Sequence, residues 1–184
     1  MENYLPPHCY RNKPVEIKGI VIHYFSAINV DPENKFDNQT NWNLMHDLNA
    51  SKENRLQFPK VLPDRMKRSY ASAHCMIGRS GKNMILVPED KQAYHAGKSY
   101  YKGVSSWNQR SYGIELIGTK DSGFTEAQYK TCAKVCANLI KEYAIPLNMV
   151  VGHETIAPMR KFDPGIATGN FDMKKLKQMI KELL

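Results

Sequence analysis

Residues 17–25, Ile-Lys-Gly-Ile-Val-Ile-His-Tyr-Phe, constrain the fold of this chain more than any other segment. The run is rich in β-branched residues and has a glycine near its start, a composition that predicts a buried strand. His23 stands near the end of the run, where rigid backbone can direct a polar side chain into a site. The first expectation is therefore a buried strand that carries a histidine at its carboxyl end.

Further segments also have strand patterns. Residues 73–88 predict two strands joined by a Ser-Gly turn, which is a hairpin signal. Residues 111–118 predict another strand, and residues 148–153 predict a short strand that ends at His153. Because side chains alternate along a strand, one face of 111–118 receives Tyr112, Ile114 and Leu116 and the other face receives Glu115 and Ile117.

Helical patterns complete the second half of the chain. Thr125 is a good N-cap, and the apolar spacing after it predicts a helix through about Tyr143. Residues 171–184 predict an amphipathic helix with a basic face, and its apolar stripe comprises Met173, Leu176, Met179, Ile180 and Leu183. Strands interleaved with helices predict the α/β class: a single domain over residues 1–184, with a central mixed β-sheet flanked by helices.

Residues 29–70 are polar and irregular, with one short helical pattern at 41–48. Loops of this length are uncommon in compact domains unless they line a site.

Composition excludes several classes of protein. A hydrophobic share of 42% and an aromatic share of 10% exclude a disordered or collagen-like chain. No apolar run approaches the roughly 20 residues of a membrane-spanning helix, and the N-terminus has no apolar core of a signal peptide. We therefore expect synthesis in a cytoplasm. The four cysteines form no CxxC pair, and we expect small buried hydrophobic residues in a reducing compartment.

The net charge of +8 favours polyanionic partners, namely nucleic acid, an anionic membrane or an acidic cell envelope. It is equally compatible with a role in solubility alone. No recognisable nucleic-acid module accompanies it, so we expect no specific nucleic-acid partner.

Three polar residues suggest a metal site. His23 and His153 each end a predicted strand, and Asp163 precedes a proline that restricts it to extended geometry. Two neutral imidazoles and one carboxylate form a ligand set suited to zinc, and they leave the ion able to acidify a bound water. Each histidine taken alone is more often a surface or core residue, so spacing by itself supports only a modest hypothesis. The HExxH motif is absent because residue 157 is alanine.

Five stretches, in order along the chain, resemble the zinc-dependent N-acetylmuramoyl-L-alanine amidases, which include phage amidase-type lysozymes, muropeptide-recycling amidases and peptidoglycan recognition proteins. The matching stretches are IVIHYFSA (20–27), SAHCMIGRSGKNMILVPEDKQAYHAGKS (72–99), SWNQRSYGIELIGT (106–119), FTEAQY (124–129) and GHETIAPMRKFDPG (152–165). The last stretch most resembles the recycling branch and its phage relatives. The resemblance implies one amidase domain, with a catalytic core of about 15–168 and the basic helix at about 171–184.

Carried over by position, the resemblance implies that His23, His153 and Asp163 bind one zinc ion. It implies that Glu115 is the general base and that Lys161 stabilises the oxyanion. Without the resemblance, a solvent-facing glutamate and a solvated lysine would be the preferred interpretations.

The remaining histidines receive weaker assignments. His95 matches a histidine near the substrate cleft, where support of a ligand and contact with substrate are both open. His74 is expected to be hydrogen-bonded in the core, and His8 and His46 receive no role.

Some phage members differ from this chain at three positions. They have a tyrosine where this chain has Ala73, a cysteine where it has Asp163, and no glutamate where it has Glu115. These differences occur together and support the version of the site that uses glutamate and aspartate.

The resemblance implies hydrolysis of the amide bond between N-acetylmuramic acid and L-alanine of the stem peptide, in peptidoglycan or in muropeptides. The basic surplus favours a phage-type endolysin that is drawn electrostatically to an anionic envelope and acts on the wall after membrane breach. The alternatives are a cytosolic amidase that recycles anhydro-muropeptides and a non-catalytic peptidoglycan-binding module. We expect a monomer without a transmembrane segment.

Overall fold

A five-stranded mixed sheet forms the centre of the computed structural model, which describes residues 4–25 and 71–184. The predictions for residues 29–70, including the helix at 41–48 and His46, lie outside the described residues. The strands are β1 (Arg11–Pro14), β2 (Gly19–Phe25), β3 (Cys75–Ile77), β4 (Asn83–Ile85), β5 (Lys91–Gln92), β6 (Tyr100–Tyr101), β7 (Val104–Ser105), β8 (Ser111–Ile117) and β9 (Val150–Gly152). The helices are α1 (Glu126–Tyr143), α2 (His153–Ile156) and α3 (Met173–Leu183).

The central sheet has the order β4-β3-β8-β2-β9, in which β3, β8, β2 and β9 are parallel and β4 is antiparallel to β3. Strand β2 therefore lies between β8 and β9. Both strands that were predicted from residues 73–88 are present as the hairpin β3–β4, although each is shorter than the sequence pattern. The predicted α/β class with a mixed sheet and flanking helices is confirmed, whereas the proposed limits of the catalytic core stay a prediction.

One face of the sheet packs against the helices. The core on this side comprises Ile20 and Ile22 of β2, Tyr112, Ile114 and Leu116 of β8, and apolar side chains of α1 and α3. Val21 packs on the opposite face with the neighbourhood of Trp107, and Ile117 packs there with Leu86 and Val87. The predicted alternation along β8 is confirmed, and it leaves Glu115 on the face away from the helical layer.

The helix boundaries follow local chemistry. The Thr125 side chain accepts a hydrogen bond from the N–H of Gln128, and the Gln128 side chain in turn accepts from the N–H of Thr125. This capping box starts α1 where the sequence predicts it, and the helix ends at Tyr143 as predicted. Asp172 caps α3 in a similar way by accepting from the N–H of Lys175.

The predicted strand at 148–153 needs a correction. A 3₁₀ turn occupies Leu147–Met149, the strand is only Val150–Gly152, and His153 is the first residue of α2 rather than the last of the strand. Gly152 is the N-cap, so the chain turns directly from strand into helix at this point. His153 still lies at the carboxyl end of β9.

The four cysteines are free and buried, as the sequence predicts: Cys9, Cys75, Cys132 and Cys136. The reducing compartment stays a prediction. Within the described ranges, no helix combines the length and the apolar character that a membrane span requires.

Candidate metal and active site

The carboxyl ends of β2 and β9 bring together the three residues that the sequence singled out as metal ligands. His23 Nδ1 lies 2.9 Å from Asp163 Oδ2, and His153 Nδ1 lies 3.0 Å from the same oxygen. Both histidines are buried, and the donor atoms of the three residues all lie within 4.8 Å of one another. Asp163 reaches this position from the turn that follows α2.

This donor set fits a tetrahedral zinc ion. Zinc–ligand bonds of about 2.0–2.1 Å place two tetrahedral ligands roughly 3.3 Å apart, which is close to the two measured separations. Two nitrogens and one carboxylate oxygen also leave one coordination position for water, as in catalytic zinc sites.

Acceptors flank both nitrogens of the His153 ring. Nε2 lies 3.0 Å from the carbonyl oxygen of Ala96, which can only accept, so Nε2 carries a proton. Nδ1 faces the Asp163 carboxylate, which is also an acceptor. A positive charge between Nδ1 and the carboxylate, either a second proton or a bound cation, satisfies this contact.

The charge states of the other two groups agree with metal binding. Burial, followed by the nearby His153, lowers the pKa of His23 to about 4, so its ring is neutral at neutral pH. Burial alone would raise the pKa of Asp163, but hydrogen bonds with His153 and His23 hold it below its ordinary value. A neutral imidazole and an ionised carboxylate are the forms that coordinate a metal.

Glu115 lies beside His23 because the two residues are directly paired between β8 and β2. Its Oε2 is buried and has no hydrogen-bond partner among the described residues. Burial, and then the charge of Asp163, raise the pKa of Glu115 to about 8, while Lys161 opposes the shift. A carboxyl group with a pKa near neutrality and an open oxygen can accept and return a proton.

A cleft of about 380 Å³ connects these groups. Its lining includes the three candidate ligands, Glu115, Lys161 and His95, together with Tyr94, Arg160 and Phe162. The structure therefore brings every candidate site residue from the sequence into one cleft.

The ring of His95 contacts the candidate ligand His23. Its Nδ1 lies 3.0 Å from His23 Nε2, on the side of the His23 ring away from Asp163, and its Nε2 is 3.5 Å from Ser111 Oγ. A Cβ atom on Gly113 would lie 2.6 Å from the His95 ring, so only glycine in β8 leaves room for it. Contact of His95 with substrate stays a prediction.

The two further histidines among the described residues, His74 and His8, have a structural and a surface position. His74 is fully buried; its Nδ1 accepts from the N–H of Gly113 and its Nε2 donates to the carbonyl of Lys91. The predicted hydrogen-bonded core role is confirmed. His8 lies in an exposed 3₁₀ turn.

Sequence reasoning missed the residues that hold the ligands from behind. The Ala96 carbonyl contacts His153 directly, and the side chains of Asn108 and Arg160 hydrogen-bond to the backbone of Ala96. The sequence pattern assigned no role to Glu154, and its carboxylate accepts hydrogen bonds from the backbone N–H groups of Gly165 and Ala167, which follow Asp163. No spacing rule in the sequence signals such contacts.

Family comparison agrees with this site. Residues 12–166 match the model of the N-acetylmuramoyl-L-alanine amidase family, which covers most of the chain. The chain belongs to this family. The resemblance seen in the sequence is therefore confirmed, and the family is generally zinc-dependent.

Individual relatives favour one branch. The 1,6-anhydro-N-acetylmuramyl-L-alanine amidase AmpD of Citrobacter freundii is 44% identical over 109 residues, which are 59% of this chain and only 57% of that protein. A crystal structure of a selenomethionine derivative of AmpD has a TM-score of 0.73 at 31% identity and covers 96% of this chain and 92% of that one. A mutant endolysin from Bacillus subtilis has a TM-score of 0.67 at 18% identity, covers 98% and 97%, and shows the fold alone.

The raised pKa of Glu115 predicts that the metal-free protein loses free energy of unfolding as the pH rises. The neutral carboxyl is favoured by folding, so its stabilising contribution is complete below its ordinary pKa of 4.5 and is lost as pH rises through about 8. Between about pH 5 and about pH 9, Glu115→Gln should gain on the order of 1 to 3 kcal/mol of unfolding free energy relative to wild type. Urea unfolding in chelator measures the difference. Glu182→Gln, at an exposed helical position, is the control, and parallel pH curves for wild type and Glu115→Gln would contradict the burial argument.

Proposed function

We propose that this protein is a zinc-dependent amidase that hydrolyses the bond between the lactyl group of N-acetylmuramic acid and L-alanine of the stem peptide. The observation that carries the proposal is the convergence of His23, His153 and Asp163 at one sheet edge, with Glu115 paired beside His23. Membership of the amidase family supports the same reaction.

The proposed chemistry divides between the metal and the chain. When bound by the three ligands, zinc supplies Lewis acidity that acidifies a water molecule and polarises a carbonyl oxygen. Glu115 accepts the proton of the attacking water and returns it to the nitrogen of the leaving L-alanine. Its unpaired Oε2 and its raised pKa suit both halves of this transfer.

Lys161 is proposed to stabilise the negative charge that develops on the carbonyl oxygen. It lines the same cleft, and its charge lowers the pKa of Glu115, so the two groups are within electrostatic reach. A fixed cation that acts on developing charge lowers the barrier without binding the ground state more tightly.

We propose soluble anhydro-muropeptides as the substrate class, which makes this a recycling amidase rather than an endolysin. The endolysin preference from the sequence rested on the charge and on the basic terminal helix. The relative at 44% identity is named for a 1,6-anhydro substrate, whereas the endolysin neighbour at 18% identity supports only the fold.

The packing of α3 removes much of the argument for wall binding. Leu176 and Ile180 are fully buried, and Lys175 pairs with Glu126 of α1. Lys141 of α1 donates to the carbonyl of Leu183. The helix is therefore an ordinary packed terminal element with a solvated basic face. A cytoplasmic location, a monomeric state and attraction to an anionic envelope stay predictions.

Product analysis tests the reaction. Chelation should abolish release of peptides from a muropeptide, and Zn²⁺ should restore it; mass spectrometry should find new L-alanine amino termini and no new reducing sugars. Glu115→Gln should retain zinc but lose about 10² to 10⁴-fold in turnover, the usual contribution of a positioned proton-transfer group. Full activity without metal would refute the mechanism, and substrate binding without any product would favour the non-catalytic module.

A second comparison tests the substrate class. Purified anhydro-muropeptide should be cleaved at least about tenfold more efficiently than stem peptides in intact sacculi, a difference of about 1.4 kcal/mol in transition-state stabilisation. Muropeptides with an ordinary reducing sugar serve as the matched control for the anhydro group. Equally efficient release of stem peptides from sacculi would contradict the recycling proposal and favour the endolysin interpretation.

A further inference from the structure

One short loop contacts both histidine ligands from behind. His95 Nδ1 lies 3.0 Å from His23 Nε2, and the carbonyl oxygen of Ala96 lies 3.0 Å from His153 Nε2. The Ala96 carbonyl can only accept, so it holds a proton on Nε2 of His153, and the His95 ring can accept from Nε2 of His23 in the same way. Partners on the Nε2 side of this kind orient each ring and direct its Nδ1 toward a metal. The orientation of two of the three ligands therefore depends on where residues 95–97 are held.

The side chain of Asn108 holds this loop. Its Oδ1 accepts hydrogen bonds from three consecutive backbone N–H groups: His95 at 3.1 Å, Ala96 at 2.6 Å and Gly97 at 3.2 Å. Gly97 has a φ of +57°, so the backbone curls and aims successive N–H groups at one point. A single oxygen thus accepts hydrogen bonds from three backbone N–H groups that would otherwise need other partners.

We propose that Asn108 is a positioning residue for the metal site, acting through the loop 95–97 on His23 and His153. The proposal rests on the zinc site of the proposed function. The hydrogen bonds of Asn108 run to the backbone of the loop, so its loss should act by releasing the loop. The Ala96 carbonyl and the His95 ring would then no longer hold both ligand rings in one geometry.

Zinc affinity measured by competition with a chromogenic chelator tests the proposal. Asn108→Ala should bind Zn²⁺ about 10 to 100-fold more weakly than wild type, the usual cost of losing an outer partner of a metal ligand. Asn108→Asp keeps an acceptor oxygen and should retain most of the affinity. The control is Gln109→Ala, at the exposed neighbouring position, which should bind Zn²⁺ with wild-type affinity. The visible spectrum of the Co²⁺ form should change in Asn108→Ala and not in Asn108→Asp.

The outcomes distinguish failure of the positioning role of Asn108 from failure of the zinc site itself. Wild-type affinity in a folded Asn108→Ala variant would overturn the positioning role while leaving the proposed zinc site intact. Absence of zinc binding by wild type would overturn both. If Asn108→Ala does not fold, Asn108→Gln keeps the amide but displaces its oxygen by one methylene, and unchanged affinity in that variant would overturn the proposal.

A separate set of contacts assigns a similar role to Glu154 at the third ligand. Its Oε1 accepts from the N–H groups of Gly165, at 3.0 Å, and Ile166, and its Oε2 accepts from Ala167 at 3.2 Å. The N–H of Glu154 also donates to the carbonyl of Asp163 at 2.8 Å. We infer that Glu154 positions Asp163 by holding the turn that follows it.

The Glu154 inference is tested by the same competition assay. Glu154→Ala should weaken Zn²⁺ binding about 10 to 100-fold. Glu154→Gln should have a smaller effect, because one amide oxygen still accepts while the NH₂ group opposes a backbone N–H. Glu182→Ala and Glu182→Gln, on an exposed helical face, are the matched controls. Wild-type affinity in either folded Glu154 variant would overturn the inference, and Glu154→Gln serves if the alanine variant fails to fold.

Discussion

The parallel pairing of β2 with β8 on one side and β9 on the other is the constraint on which the site depends. The pairing places Glu115 directly beside His23, and it brings the end of β9 next to the end of β2, so that His153 follows at the same edge. A slip of one residue along β2 would send His23 into the helical core and Ile22 into the cleft. The apolar core and the candidate metal site thus depend on the same alignment of strands.

The two faces of the sheet differ in how they treat polar side chains. Apolar side chains of alternate residues fill the layer under α1 and α3, where polar groups would need partners. The other face carries His23 and Glu115, and Oε2 of Glu115 is buried there without a hydrogen-bond partner among the described residues. An unpaired buried oxygen costs free energy in the folded chain. That cost is consistent with a group whose partner arrives with the metal, the water and the substrate.

The sequence predicts the ligands better than it predicts their supports. His23 lies near the end of an apolar strand pattern, and Asp163 precedes a proline, so these two patterns together with the family resemblance predict both residues as ligands. The alternation of side chains along β8 predicts the face on which Glu115 lies, and the family resemblance alone predicts its role as the general base. Asn108 and Glu154 act on backbone N–H groups brought close by folding, and such contacts leave no pattern of spacing or residue type. The correction at His153 has a related cause, because a four-residue helix that starts at a glycine cap has too few residues for a periodic pattern.

Net charge and the position of charge answer different questions about partners. The surplus of +8 is a property of the whole chain and favours anionic surfaces in general. Within the part that the structure describes, Lys175 of α3 pairs with Glu126 of α1, while Lys161 lines the same cleft as Glu115. In the proposed mechanism Lys161 acts on the developing charge at short range, where the electrostatic interaction of a single cation is strong. Several cations on a solvated helix are screened within about 8–10 Å at physiological salt and do not identify a target. The location of Lys161 therefore weighs more in the functional argument than the total charge from which the endolysin interpretation began.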